Sequence, residues 1–280
     1  MKSRTLRPHR NTIAVVYLAR GAEDDWCESF RRFIASYQKF AAGREHTLYV
    51  LYKGFRSETD VERATSLFSA LDTRPIKLDD NGLDIGAYLI AVNEIVEDRV
   101  CFLNTHTELL APAWLEKLAL HLDRIDVGLV GATGSFESLS MIGPRFPAFP
   151  NLHLRSTGVM IERELFTSIL GGTIIRDKLD AFSVESSSDS LTRRILARGL
   201  KVLLVGRNGR GYPPRWWPSS DTFRQGCQAN LLIGDNQTRN YMAARWNEKQ
   251  KIIERTWGEY LDPGNALPPS SISASAVTRS

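Results

Sequence analysis

Short β-branched, apolar runs recur along this chain, each pair separated by room for one amphipathic helix, and few folds accept that pattern. Residues 12–19 (TIAVVYLA) form the first run, long enough for a buried strand. Trp26, Phe30, Phe33 or Ile34, and Tyr37 follow at three- and four-residue spacing, which predicts a helix. The series continues with strand 47–53 (TLYVLYK), helix Val61–Leu71, strand Pro75–Leu78, helix Ile85–Val96 and strand Val100–Leu103. Helix Trp114–Leu122 and strand Val127–Ala132 extend it. Strands alternating with helices of about 10–15 residues predict an α/β fold, a mostly parallel central sheet flanked by helices.

The rhythm changes after residue 133. Gly134, Gly143, Pro144, Pro147 and Pro150 predict an ordered loop over 134–156. Strand Gly158–Ile161, helices Arg163–Ile169 and Ser188–Arg198, and strand Lys201–Val205 are expected next. A last helix is expected over Tyr241–Tyr260, with Trp246, Ile253 and Trp257 available to dock. One domain is expected over 11–262. Residues 263–280 lack aromatic and acidic side chains and read as a disordered tail.

Charge narrows the partners. Of 36 Lys and Arg, four (Lys2, Arg4, Arg7, Arg10) lie in the first ten residues, leaving 32 against 32 Asp and Glu. A neutral body does not imply a nucleic-acid surface. The basic leader reads as a solvated tail or as a weak peripheral contact with anionic lipid. No run reaches the ~18 apolar residues of a membrane span, and no signal-peptide core follows the leader. Cys27, Cys101 and Cys227 are odd in number and far apart, which suits a reducing cytoplasm better than a disulfide framework.

In an open parallel sheet, ligands bind beyond the carboxyl ends of the strands. That rule selects Arg20-Gly21-Ala22-Glu23, Lys53-Gly54-Phe55, Asp79–Gly86 and Asn104–Leu110. Gly82 and Gly86 admit close backbone approach, beside the polar groups of Asn81 and Asp84. The competing reading makes Asp79, Asp80 and Asn81 a turn that caps the helix. Downstream, Arg207, Asn208, Arg210, Tyr212, Arg215, Trp216 and Trp217 offer guanidinium groups for phosphate and rings for sugar faces. The tryptophans serve equally well as core packing.

The block from Leu78 to Leu122 resembles the middle of nucleotide-sugar glycosyltransferases of the GT-A fold, especially the large inverting family 2. The likeness rests on Asn81-Gly82 opening a helix, strand Val100–Leu103, and Pro112-Ala113-Trp114-Leu115-Glu116-Lys117-Leu118. The run Asp84-Ile85-Gly86-Ala87-Tyr88 is similar to rhamnan-synthesis relatives of that group. A second block, Phe182 to Arg194 before Gly199-Leu200-Lys201-Val202, is similar to the segment that carries the catalytic base in family 2.

The resemblance implies transfer of a sugar from a nucleotide-sugar donor to a glycan or other hydroxyl acceptor, with inversion, in polysaccharide biosynthesis. An inverting transfer needs a carboxylate to take the acceptor proton, and Glu185 and Asp189 are the candidates. Glu185 would lie in the loop entering a helix, before a Ser186 to Asp189 capping box. Asp189 would also pair with Arg193. Arg20, Gly21, Lys53, Asn81, Gly82 and Asp84 are expected to hold the donor, together with Asn104, Thr105, His106 and Thr107, and Arg210 and Arg215 to neutralise its diphosphate. At the end of the fourth strand the family carries metal-binding acids, but this chain reads Asn104-Thr105-His106-Thr107-Glu108. His106 is the metal candidate; imidazole suits Mn²⁺ better than Mg²⁺, so Mg²⁺ dependence is expected to be weak or absent. Two alternatives stand: an inactive domain of this fold that serves as a binding module, and a dinucleotide-binding oxidoreductase built on Gly128, Gly131 and Gly134.

Overall fold

In β1 (Ile13–Arg20) alternate side chains serve two different cores, as the two-residue period of a strand requires. Ala14, Val16 and Leu18 join one apolar cluster, and Ile13, Val15, Tyr17 and Ala19 the other. The computed structural model describes residues 11–80 and 82–261, so the expectations for the leader, the tail and Asn81 lie outside the described residues. After β1 come α1 (Trp26–Lys39), β2 (Thr47–Lys53), α2 (Glu58–Phe68), β3 (Arg74–Leu78), α3 (Leu83–Ala91) and β4 (Arg99–Leu103). The chain continues through β5 (Glu108–Leu109), α4 (Trp114–Leu122), β6 (Val127–Gly131), β7 (Gly134–Ser135), β8 (His153–Leu154) and β9 (Val159–Glu162). Next are α5 (Arg163–Leu170), α6 (Lys178–Ser186), α7 (Leu191–Ala197), β10 (Lys201–Val205) and β11 (Gly211–Tyr212). The short β12 (Ile233–Gly234), α8 (Asn236–Ala243) and α9 (Trp246–Trp257) follow.

Eight strands pair in the order β11-β10-β6-β9-β4-β1-β2-β3. Pairing is parallel for β1 with β2 and β4, β2 with β3, and β10 with β6. Strand β9 runs against both β4 and β6, and β11 runs against β10. Six of the eight strands therefore share one direction. This is the mostly parallel, helix-flanked α/β sheet that the sequence predicts. Phe30 and Phe33 of α1, Phe68 of α2 and Trp114 of α4 cover one face; Tyr88 of α3, Phe166 of α5, Ile195 of α7 and Trp257 of α9 cover the other.

Several local expectations are corrected. The stretch 134–156 is not simply loop, since β7 and β8 pair antiparallel within it. Helix α6 was not foreseen, because KLDAFSVES has no apolar period; Asp177 caps it by accepting the Asp180 N–H at 2.9 Å. Helix α7 starts at Leu191, not Ser188. The expected last helix breaks at Ala244 into α8 and α9, with Asp235 and Thr238 forming the capping box of α8. Trp257 is wholly buried and donates to the Phe223 carbonyl at 2.9 Å, whereas Trp246 is 76% exposed.

Candidate active site

The carboxyl ends of β1, β2, β3 and β4 and the start of the reversed β9 lie along one edge of the sheet. Hydrogen bonding there fixes a set of charged groups. The Lys53 side chain is 0% exposed, yet its ammonium donates to the Leu83 carbonyl at 2.9 Å and lies 3.8 Å from Asp80. Burial pulls the Lys53 pKa below that of an ordinary lysine, and Asp80 opposes the fall. Arg20 reaches Glu23 at 2.8 Å and Asp80 at 3.4 Å. Asp84 stands in the first turn of α3; burial raises its pKa, while Arg20 and Lys53 counter the rise and Glu23 and Glu185 add to it. Gly82 occupies the N-cap of that helix at φ 73°, a left-handed conformation that costs glycine little, and among the described residues no side chain caps it, so the expected capping by Asp79 or Asp80 does not form.

Asn104–Thr107 form the next wall. Asn104 Oδ1 accepts from the His106 N–H at 3.0 Å and the Thr107 hydroxyl at 3.2 Å, which curls the chain away from β4. Thr105 turns inward and donates to the Leu18 carbonyl at 3.0 Å. The two threonines therefore shape the wall rather than project from it. His106 faces the start of α1, with Nδ1 at 3.0 Å from the Ser29 hydroxyl and 3.9 Å from Asp25, and Nε2 at 4.0 Å from Glu23. Gly21 is covered by the Phe55 ring, which a Cβ at that position would overlap at 2.2 Å.

Opposite α3, Glu185 sits in the last turn of α6, not in an open loop, and its Oε2 accepts the Ser156 N–H at 2.8 Å. Asp189 goes elsewhere. Its side chain is 70% exposed and is held by Arg194, through Nε at 2.8 Å and also through Nη2. The expected Arg193 partner instead donates to Asn151 Oδ1 at 3.2 Å. Because α6 ends at Ser186 and α7 begins at Leu191, the Ser186 to Asp189 capping box does not form. The two acids thus belong to different surroundings.

Arg210 and Arg215 also stand apart. Arg210 lies against the Tyr212 ring at 5.8 Å and Arg215 against Trp216 at 5.4 Å. Both flank β11, the sheet edge, five strand spacings of ~4.8 Å from β1. Trp217 is a core residue, wholly buried, whereas Trp216 is exposed. The glycines of the alternative dinucleotide loop are spent on packing: Gly131 faces Leu154, and a Cβ on Gly134 would stand 2.8 Å from the Trp217 ring.

Two groups escaped the sequence reading. Arg155, just before β9, pairs with the buried Asp235 at 2.9 Å. Burial alone would raise the Asp235 pKa, but Arg155 holds it below the usual carboxylate value. Arg239 donates to the His106 carbonyl at 3.2 Å and lies 3.4 Å from Glu108. Arg155 sits in an apolar-free turn and Arg239 on a polar helix, so no periodicity marked either.

No protein-family model matches the chain, and no curated protein is similar to it. Among the solved structures that share parts of its course are the following two. A nucleotidyl transferase from Methanothermobacter thermautotroptrophicus is 15% identical, with a TM-score of 0.43 over 69% of this chain and 85% of that one. Glucosyl-3-phosphoglycerate synthase from Mycobacterium tuberculosis, in complex with Mn²⁺, uridine-diphosphate and phosphoglyceric acid, is 20% identical, with a TM-score of 0.39 over 57% of this chain and 58% of that one. At such similarity no function passes from them to this chain.

The donor set does not suit a protein-held divalent ion. Among the described residues no three His, Cys, Asp or Glu side chains are placed to hold a metal ion, although Glu23 and Asp25 lie within 4.0 Å of His106. Near His106, Glu23 is engaged by Arg20, and Mg²⁺ takes oxygen ligands in octahedral array. Among the described residues no helix is long and apolar enough to cross a membrane.

Proposed function

We propose that the chain is a glycosyltransferase of the GT-A kind, moving a sugar from a nucleotide-sugar donor to a glycan or similar hydroxyl acceptor with inversion. The observation that supports this reading is a pair of cations, Arg20 and Lys53, at the strand ends around Asp84, with the carboxylate of Glu185 also acting on Asp84 from α6. In the reaction, Glu185 takes the proton of the acceptor hydroxyl as that oxygen attacks the anomeric carbon, and the bond to the diphosphate breaks on the other side. Arg20 and Lys53 stabilise the negative charge that builds on the departing nucleoside diphosphate, exchanging Asp80 for phosphate oxygens. Asp84 stands at the same crevice, where a donor sugar hydroxyl can bond to it, and His106 lines the wall toward α1. Asp189, paired with Arg194, serves the start of α7 in this reading. A cytoplasmic place in polysaccharide biosynthesis goes with it.

A thermal-shift screen of uridine, guanosine and thymidine diphosphates and their sugars tests donor binding. A shift with at least one nucleotide, absent in Arg20→Gln, is expected. Binding without any turnover or slow hydrolysis would turn the reading to a binding module, and no shift with any nucleotide would overturn it.

A further inference from the structure

A second groove, of about 460 Å³, opens at the far end of α1, beyond the His106 wall. Ser29, beside His106, and Lys39, on the groove, are ten residues apart on one helix, or ~15 Å at 1.5 Å per residue. The groove therefore adjoins the His106 wall at its Arg32 and Glu108 end and runs away from it along α1 toward Lys39. Three cations from two segments line it: Arg32 and Lys39 of α1 and Arg207 of the β10–β11 turn. Its one lining acid, Glu108, is already held by Arg239 at 3.4 Å. Arg207 makes no side-chain ion pair or hydrogen bond among the described residues, and Lys39 has only the Phe40 ring at 5.1 Å. Arg32 reaches Glu28 at 2.9 Å, a partner that is mostly solvent-exposed.

Two of these cations act on further cations beside the groove. Burial, then Arg32, pulls the Arg239 pKa down, and burial, then Arg207, does the same to Lys117 next to the groove. An excess of positive charge in a concavity favours a compact anion. Two guanidinium groups and an ammonium on one groove match the several oxygens of a phosphate better than the two of a carboxylate. Phe40, Leu110 and Leu231 supply an apolar surface beside them.

We propose that this groove is a second anion site, which binds a phosphate group carried on a small organic body, gripped by Arg207, Arg32 and Lys39. The body lies against Phe40 and Leu231. Neither the donor nor any transfer step is needed for this binding, so the site stands or falls independently of the function proposed above.

Calorimetric titration of the full chain with glucose 6-phosphate at low ionic strength tests it, with glucose and inorganic phosphate as companion ligands. Saturable binding of glucose 6-phosphate is expected, weaker binding of inorganic phosphate, and none of glucose. Arg207→Ala and Lys39→Ala, both at exposed positions, should each raise Kd by roughly tenfold while thermal midpoints hold. Arg20→Gln should leave Kd within about twofold. No saturable binding to the wild type would overturn the proposal. So would loss of binding in Arg20→Gln with retention in Arg207→Ala, which assigns the phosphate to the donor crevice.

Discussion

Glu185, on the last turn of α6, accepts the backbone N–H of Ser156 at 2.8 Å, and this bond ties the helix end to the entrance of β9. It engages Oε2 and leaves Oε1 without a protein partner among the described residues. In the function proposed above, Oε1 is the oxygen that takes the proton of the acceptor hydroxyl. Its companion in sequence, Asp189, has both oxygens taken by Arg194. The four-residue spacing in the sequence conceals this division of labour.

Glu185→Gln should therefore lower turnover by about two orders of magnitude or more while leaving nucleotide binding intact. The amide keeps an oxygen for the Ser156 N–H, so the fold is not the cause. Asp189→Asn should change turnover less than about threefold, since the exposed Arg194 pair contributes at most ~1 kcal/mol. Steady-state rates of the two variants, with donor affinity measured in parallel, decide it; equal losses in both would refute the assignment.

Metal dependence is the next point of test. Because the described donor set offers His106 and an already engaged Glu23, turnover should survive a chelator and rise only weakly with Mg²⁺. Mn²⁺ should have the larger effect, and His106→Ala should remove it. A tight, strict Mg²⁺ requirement untouched by His106→Ala would contradict this.

The buried His153 makes stability depend on pH. Burial lowers its pKa from the ordinary 6.5, Glu185 opposes the shift, and Nδ1 is 2.8 Å from the Asn151 carbonyl. A folded-state pKa below the unfolded one means the unfolded chain takes up the proton first as pH falls. Stability is then full above the unfolded pKa and declines from there toward the lower folded value. Denaturant midpoints across that window should fall in the wild type and fall less steeply in His153→Gln. Parallel slopes for the two proteins would remove His153 from the account.

The two terminal tryptophans should behave oppositely. Trp257 packs edge-on against Phe136, with ring centroids 5.2 Å apart, so Trp257→Ala should cost ~3–5 kcal/mol. Trp246→Ala, at a mostly exposed site, should stay within about 0.5 kcal/mol. Chemical denaturation of both variants gives the comparison.

The sequence by itself determined the α/β class and the sheet's main strands, because β-branched runs such as TIAVVYLA and the helical spacing of Trp26, Phe30 and Phe33 are local signals. It also marked Arg20, Lys53, Asp84 and His106 as strand-end residues, since the ends of parallel strands must gather at one edge, whereas Glu185 was singled out only through the resemblance to family 2. It could not read α6, whose stability comes from the Asp177 cap and from packing against α3 rather than from a periodic apolar face. Nor could it foresee that β9 runs against its neighbours, which brings Ser156 to Glu185, or that Asp189 turns to Arg194. Only the tertiary structure decided the Arg155–Asp235 pair, eighty residues apart in sequence, and the position of Arg210 and Arg215 beside the edge strand. Long-range pairing of charged groups depends on which loops meet, and no period within a segment records that.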